Sequence, residues 1–336
     1  MTRIVSYNIL AGGYSLRENG ARRTAQLTKM IQSVDPDVVG LVEATHPLLL
    51  QKPLVIEEIA EALNMQLIMG GDPAHSSDYQ LALLTRLPVV YTKIHPRPGV
   101  LNKPLLEVCV EESNGQQLTI FVTHFHAAFY RGWAGNHLRE REAREILRIM
   151  APLREEGRPH MLMGDFNSLA PGDAFKASFL VRYVVGLDRD KQGSKMTDGH
   201  PHLDFVVPPK LRFLKPLLRT IPRSQLLCSL FDAAATFYAP RGCIRILQEA
   251  GYIDSFRRAH SNEWGFSCPA AAPAGRIDYI FSSPDLIERL EQCDVLTSGE
   301  GVQGSEASDH LPVTAEFGLR VQNHPQQEEL DSAMTH

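Results

Sequence analysis

Cysteine is scarce and poorly placed for disulfide or zinc chemistry. The 336 residues contain five, Cys109, Cys228, Cys243, Cys268 and Cys293, with no CxxC pair among them. The odd count and wide scatter argue against a disulfide framework or zinc site and favour a reducing, cytoplasmic setting. Long apolar runs are missing too, so no membrane span is expected. Arg3-Ile4-Val5-Ser6-Tyr7 already reads as a strand, which leaves no room for a cleaved leader. Positive charge is also in deficit, with a formal net charge of -5. A protein that holds long nucleic acid chiefly by its phosphates is usually basic, so any such contact here must be local. No repeat of fixed period is visible.

What is present suits a soluble α/β globule. With 43% hydrophobic residues the chain can bury a sizeable core, and 22% charged residues is ordinary. The length allows one large domain or two ordinary ones. Apolar periodicity predicts strands at 3–10, 38–42, 65–69, 81–85 and 89–94. It predicts helices at 22–34, 54–63, 136–150 and 244–250. Asn114-Gly115 between two apolar runs signals a hairpin. Further strands are expected at 276–281 and 311–317. Both halves follow one plan, strands ending in polar residues with helices between. Two such layers packed face to face predict a four-layer α/β sandwich, two mixed sheets flanked by helices, in a single domain over residues 1–320. The stretch 172–242 has no clean βα rhythm, is rich in proline and carries Lys210, Arg212, Lys215, Arg219 and Arg223. It reads as an insertion with short elements of its own. Residues 321–336 read as a disordered tail.

The chemistry-bearing residues terminate the apolar runs. Met161 to Gly164 reads as a buried strand, followed by Asp165 and Asn167, which project to one side if the strand stays extended. An ordinary Asp/Asn turn gives the same pattern. In chain order the polar termini are Asn8, Glu43, His124, Asp165 with Asn167, Asp278, and Asp309-His310. This set has what phosphate-ester hydrolysis requires. Glu43, Asp309 and Asn8 offer the oxygens a hard divalent cation prefers. Asp165 and Asn167 suit a nucleophilic water, and His124 with Asn167 are donors for charge growing on phosphorus. His310 would act as base or donor with Asp278 fixing its tautomer. Simpler readings stay open residue by residue: Asn8 in a turn, Glu43 as a helix cap, His124 as a satisfied core histidine. His126 and His137 are left to that last reading, and Arg139, Arg141, Arg144 and Arg148 to a solvated helix face.

Six segments in this order resemble the endonuclease/exonuclease/phosphatase superfamily, metal-dependent phosphoesterases related to pancreatic-type deoxyribonuclease and the abasic-site endonucleases. They are Ser6-Tyr7-Asn8-Ile9-Leu10, Leu41-Val42-Glu43, Thr123-His124, Gly164-Asp165-Phe166-Asn167-Ser168, Arg276-Ile277-Asp278-Tyr279-Ile280 and Ser308-Asp309-His310-Leu311-Pro312. The resemblance implies a two-sheet sandwich with its site at one mouth and Mg²⁺ or Mn²⁺ as cofactor. It implies Glu43 as principal metal ligand with Asn8 and Asp309 nearby, and Asp165 to orient or deprotonate water. It further implies Asn167 on the phosphate, a catalytic His310 paired with Asp278, and His124 stabilising the transition state. Thr85-Arg86 stands where that family has Ser-Arg, a weak site candidate. The segment 127–135, with Phe129, Tyr130, Arg131 and Trp133, reads as a surface loop or a substrate contact.

The expected function is therefore hydrolysis of a phosphodiester or phosphomonoester by an activated water, in a monomer. A DNA or RNA nuclease is the alternative within enzymes. A non-catalytic binding module on the same fold is the alternative of another class, disfavoured because none of these site positions is substituted.

Overall fold

The protein is described from a computed structural model, which covers residues 1–15, 21–46, 54–71, 80–96, 99–127, 133–189, 213 and 215–320. The tail at 321–336 lies outside these residues. So do Phe129, Tyr130 and Arg131 of the 127–135 segment, and the part of the insertion that holds Lys210 and Arg212.

Two six-stranded mixed sheets form the centre. The first contains β1 (Thr2–Asn8), β2 (Val38–Val42), β3 (Gln66–Met69), β4 (Ala82–Thr85), β11 (Leu290–Val295) and β14 (Val313–Phe317), in the order β11-β14-β1-β2-β4-β3. The second contains β5 (Val89–His95), β6 (Leu105–Glu111), β7 (Gln117–His124), β8 (His160–Asp165), β9 (Ile253–Asp254) and β10 (Asp278–Ser282), in the order β5-β6-β7-β8-β10-β9, while β12 (Ser298–Gly299) and β13 (Val302–Gln303) pair apart from both. Each sheet has one parallel pair at its middle, β1–β2 and β7–β8, and is otherwise antiparallel. A parallel pair needs a crossover, and helices supply it. These are α1 (Thr24–Gln32) between β1 and β2, and α3 (Trp133–Glu155) between β7 and β8.

Alternation along each strand sorts side chains between two cores. Ile4, Val38, Val122, Met161, Met163 and Ile280 meet between the sheets. On the outer face of the first sheet, Val5, Tyr7 and Val39 pack against Leu27, Met30 and Ile31 of α1 and Ile56 and Ile59 of α2 (Val55–Leu63). On the outer face of the second, Phe121, Leu162 and Phe281 pack against Ile146 and Met150 of α3 and Ile244 and Leu247 of the Gly242–Glu249 helix. The layers are therefore helix, sheet, sheet, helix, the expected four-layer sandwich. Each side chain buried this way is worth about 1.5–3 kcal/mol.

Two glycines set the spacing near the mouth. A Cβ on Gly40 in β2 would press into the end of the Met163 side chain of the facing sheet, which fills the space that glycine leaves. Gly164 has φ +139, and a Cβ there would run into the Thr123 carbonyl of the parallel neighbour β7. The room it leaves is thus taken by another backbone.

The structure departs from the sequence reading in several places. Helix α3 begins at Trp133, not Asn136, and runs to Glu155. Arg139 does not lie on a solvated face: it is fully buried, and Nη1 donates to the His126 carbonyl at 2.8 Å. Arg141, Arg144 and Arg148 are exposed, and Arg148 pairs with Glu145. The described part of the insertion is helical, with α4 (Ala177–Arg189) and the Gln225–Tyr238 helix; Val181, Val184 and Val185 form a small core backed by Phe231. Strand β11 has no counterpart in the sequence reading.

Gly164→Ala tests the backbone constraint beside the mouth. It should cost about 3 kcal/mol or more in urea unfolding, from strain at positive φ and the blocked Thr123 carbonyl. A loss below about 1 kcal/mol would show that β7 and β8 are free to part there.

Candidate active site

Register brings the polar residues together. In the second sheet His124 is level with Asp165 across the parallel pair, and Asp165 is level with Asp278 across the antiparallel pair. Three chemistry-bearing residues therefore form one row at a single edge. In the first sheet Asn8 is level with Val42, so Glu43 emerges beside it at the same end of the parallel pair. Ser6 pairs with Val313, which puts Asp309 and His310, just before β14, at that end as well. The carboxyl ends of both parallel pairs thus open on one mouth, where α/β folds commonly place their chemistry.

Asp165 is the hub. It is 2% exposed, and donors from both sheets surround it. Asn8 Nδ2 donates to Oδ2 at 3.2 Å, and the Asn167 backbone N–H donates to Oδ1 at 2.8 Å. His124 Nε2 lies 3.6 Å and His310 Nε2 3.8 Å from Oδ2, beyond direct hydrogen bonds but close enough for one oxygen to serve both partners. Asn167 has φ +48, and its Nδ2 donates to the Phe125 carbonyl at 3.0 Å. Phe166 between them turns into the core and stacks on Phe125.

His310 and Asp278 form a buried pair, with His310 Nδ1 at 2.8 Å from Asp278 Oδ2. Burial works against the imidazolium, but Asp278, Cys268, Asp309 and Asp165 together outweigh it and hold His310 well above the usual histidine range. Ser267, which the sequence reading missed, fixes the carboxylate: its Oγ donates to Asp278 Oδ2 at 2.6 Å and accepts the Ile277 and Asp278 backbone N–H groups. The Cys268 Sγ lies 3.8 Å from His310 Nε2. Neither residue sits in a periodic segment, so no pattern pointed to them. Arg276, in the same segment as Asp278, turns away from the mouth. It is buried against Asp173 and Asp254, with 2.8 Å contacts to each.

The remaining acids lie beside Asn8. Glu43 has φ +54, a left-handed conformation costly for a side chain of this kind, and its Oε2 accepts the Ala11 N–H at 3.1 Å. Burial pushes Asp309 up to about 6, with His310 opposing and the charge of Glu43 adding to the rise. Ser308 Oγ donates to the Asn8 carbonyl at 2.7 Å and ties this loop to β1. Arg23 ties the other side, donating to the Leu10, Tyr14 and Ala307 carbonyls. A buried carboxyl that feels the charge of a second carboxylate, beside a carboxamide, is a donor set that fits a hard divalent cation. Asp165, Asp278 and His310 also offer three ligand atoms within 4.8 Å of one another. A histidine held protonated is a poor metal ligand, so the Glu43 side of the mouth fits a cation better.

Thr85 and Arg86 lie elsewhere. Thr85 is level with Val38 at the opposite end of β2, its Oγ1 accepts the Leu87 N–H at 2.9 Å, and Arg86 pairs with Asp35. His126 and His137 also stand apart from the hub. The His126 backbone N–H is bonded to Glu142, and the exposed His137 faces Glu140.

Two mixed sheets sharing one acid, amide and imidazole mouth define an α/β-sandwich of the phosphoesterase and nuclease class. The chain belongs to the Endonuclease/Exonuclease/phosphatase family, whose model matches residues 5–310. Its fold is shared by an AP endonuclease from Archaeoglobus fulgidus, 15% identical with a TM-score of 0.55, over 95% of this chain and 100% of that one. It is shared equally by the 3'-5' exonuclease NExo from Neisseria meningitidis, 16% identical with a TM-score of 0.56, over 95% and 100%. A third is D. rerio TDP2 complexed with a single-strand DNA product, 15% identical with a TM-score of 0.56, over 95% and 99%. Among curated proteins none matches the chain.

Protonation at the hub is measurable. Burial pushes the Asp165 carboxyl up to about 6, opposed by His310 and His124 and reinforced by Asp278. Because the folded value lies above the unfolded one, this contribution to stability is full below the unfolded pKa of about 3.9 and fades as pH rises through about 6. In metal-free protein, Asp165→Asn should therefore gain stability relative to wild type between pH 4.5 and 7.5, by on the order of 2 kcal/mol. A difference that does not change across that window would place the carboxyl in ordinary solvent.

Proposed function

We propose that the protein is a divalent-metal-dependent phosphoesterase that hydrolyses a phosphodiester or phosphomonoester by in-line attack of water. The observation that carries this reading is the buried Asp165 carboxylate, surrounded by Asn8, Asn167, His124 and His310 from both sheets. Glu43, Asp309 and Asn8 would hold Mg²⁺ or Mn²⁺, which when bound supplies positive charge to the phosphoryl oxygen and leaving group.

The roles of the chain's own residues follow from their settings. Asp165, with its carboxyl near 6, is matched to accepting a proton at neutral pH, so it serves as the base. Water held against it attacks phosphorus, its proton passes to Asp165, and the bond to the leaving oxygen breaks. His310 is charged and locked by Asp278 and Ser267, so it donates a hydrogen bond to the phosphoryl group. The Nδ1 atom of His124 is buried with no partner among the described residues. Such an atom is costly unless a ligand satisfies it, and a phosphoryl oxygen would. Asn167 contacts the same group.

The same architecture carries proteins described as acting on DNA, and a nucleic-acid substrate is the second reading. All five cysteines are free, and a reducing, cytoplasmic setting is part of the proposal. Among the described residues no helix is long and apolar enough to cross a membrane.

A panel of bis-nitrophenyl phosphate, nitrophenyl phosphate, plasmid DNA, RNA, sphingomyelin and inositol phosphates tests this reading with Mg²⁺ or Mn²⁺. At least one should be hydrolysed, chelation should stop the reaction, and added metal should restore it. Glu43→Ala and His310→Ala should each lower kcat/KM by about a thousandfold, with circular dichroism unchanged. Turnover that survives both changes would refute the assignment. Metal binding with no hydrolysis of any substrate would instead favour a binding module.

A further inference from the structure

A second concave site adjoins the mouth. It is a cleft of about 270 Å³ between the start of α3, the end of the Gln225–Tyr238 helix and the turn into the Gly242–Glu249 helix. Trp133, Phe237 and Tyr238 line it and are 75%, 87% and 76% exposed. Aromatics make up only 7% of the chain, so three of them left in water around one cleft need an explanation. Arg245 is exposed on the same wall. Arg241 also lines it, and among the described residues its guanidinium donates to carbonyls, those of Ala170, Asp173 and Thr236.

The cleft is tied to the catalytic edge. The Pro240 carbonyl in its wall accepts from Ser168 Oγ at 2.8 Å and from the Leu169 N–H at 3.0 Å. Ser168 directly follows Asn167, a chain advance of about 3.8 Å. Asn136 Oδ1 accepts the Gly242 N–H at 3.2 Å and joins the other wall to α3. Because α3 leaves the carboxyl end of β7, its first turn lies on the mouth side of the sheet.

We propose that this cleft is a subsite for a nucleobase carried by the phosphoester substrate. The proposal rests on the phosphoesterase reading and names the chemistry of the group beside the scissile bond. Flat exposed rings with guanidinium groups are what a base and its phosphate recognise together, by stacking and by charge. An apolar protein partner would not call for Arg241 and Arg245 at the wall. A purely anionic ligand would not call for three rings. Glu140 also lines the cleft, where it accepts from Asn136 Nδ2, and the two guanidinium groups outweigh its charge, so a net charge of -5 for the chain is compatible with a nucleotide held here.

The test uses metal-free full-length protein, so that binding is read without turnover. The chain has two tryptophans, and Trp264→Phe leaves Trp133 as the fluorescent reporter. Titration with a short single-stranded oligonucleotide should quench Trp133 saturably. Tyr238→Ala and Arg245→Ala should each weaken binding roughly tenfold, the size of one lost stack. An abasic phosphate chain of equal length should bind at least tenfold more weakly and quench little. Quenching by adenosine monophosphate as strong as by the oligonucleotide supports the same ring chemistry and assigns the cleft to free nucleotides. Tighter binding of the oligonucleotide supports it and assigns the cleft to a strand. Equal quenching by base-bearing and abasic chains, or none by either, overturns the proposal. If base binding fails while the metal-loaded enzyme still hydrolyses a phosphoester, only the subsite falls. If base binding holds and no phosphoester is hydrolysed, it is the catalytic reading that falls.

Discussion

A carboxylate withdrawn from water must be surrounded by donors, and Asp165 is surrounded by donors that no single sheet could supply. Asn8 reaches it from the first sheet, while His124 and the Asn167 backbone reach it from the second. His310 approaches from the loop that re-enters the first sheet at β14. Leaving such a group without partners would cost several kcal/mol, so the two sheets must keep a fixed separation at this edge. The core between them sets that separation. Gly40 leaves space that the end of the Met163 side chain fills, and Gly164 lets β7 and β8 stay in register up to His124 and Asp165. The packing that makes the fold therefore also makes the mouth.

Electrostatics divides that mouth into two sides. On one, Asp278 and Ser267 lock His310 as a charged donor. On the other, Glu43 and the Asp309 loop flank Asn8, and Asp309 is pushed up to about 6 by burial and by the charge of Glu43. A histidine held positive suits an anionic group, and acids set beside a carboxamide suit a cation. The left-handed backbone at Glu43 and Asn167 indicates where local comfort was given up to aim side chains.

Much of this was legible in the sequence, because polar residues that end apolar runs come to lie at one edge when the runs are parallel strands. Asn8, Glu43, His124, Asp165, Asp278 and His310 end such runs, and the structure brings them to one mouth. The Asp165/Asn167 pair was found for an incomplete reason. The chain does not stay extended there; it turns, and the Asn167 N–H bonds back to Asp165 Oδ1. The turn reading and the site reading describe the same geometry. Ser267 and Arg23 stayed hidden, since a hydroxyl in an irregular loop and a guanidinium spent on carbonyls leave no periodic trace. Arg139 was misread because helical charge spacing cannot distinguish a solvated arginine from one buried against the His126 carbonyl. Thr85-Arg86 resembled a site segment, but the antiparallel register sends it to the far end of β2.

The most direct measurement of the central claim is a crystal structure soaked with Mn²⁺ and a non-hydrolysable phosphate, read by anomalous scattering. The account places the manganese peak between the Glu43 and Asp309 carboxylates, near Asn8, with phosphate oxygens bonded to His124 and His310. A manganese peak confined to Asp165, Asp278 and His310, or a phosphate bound away from that mouth, would contradict it.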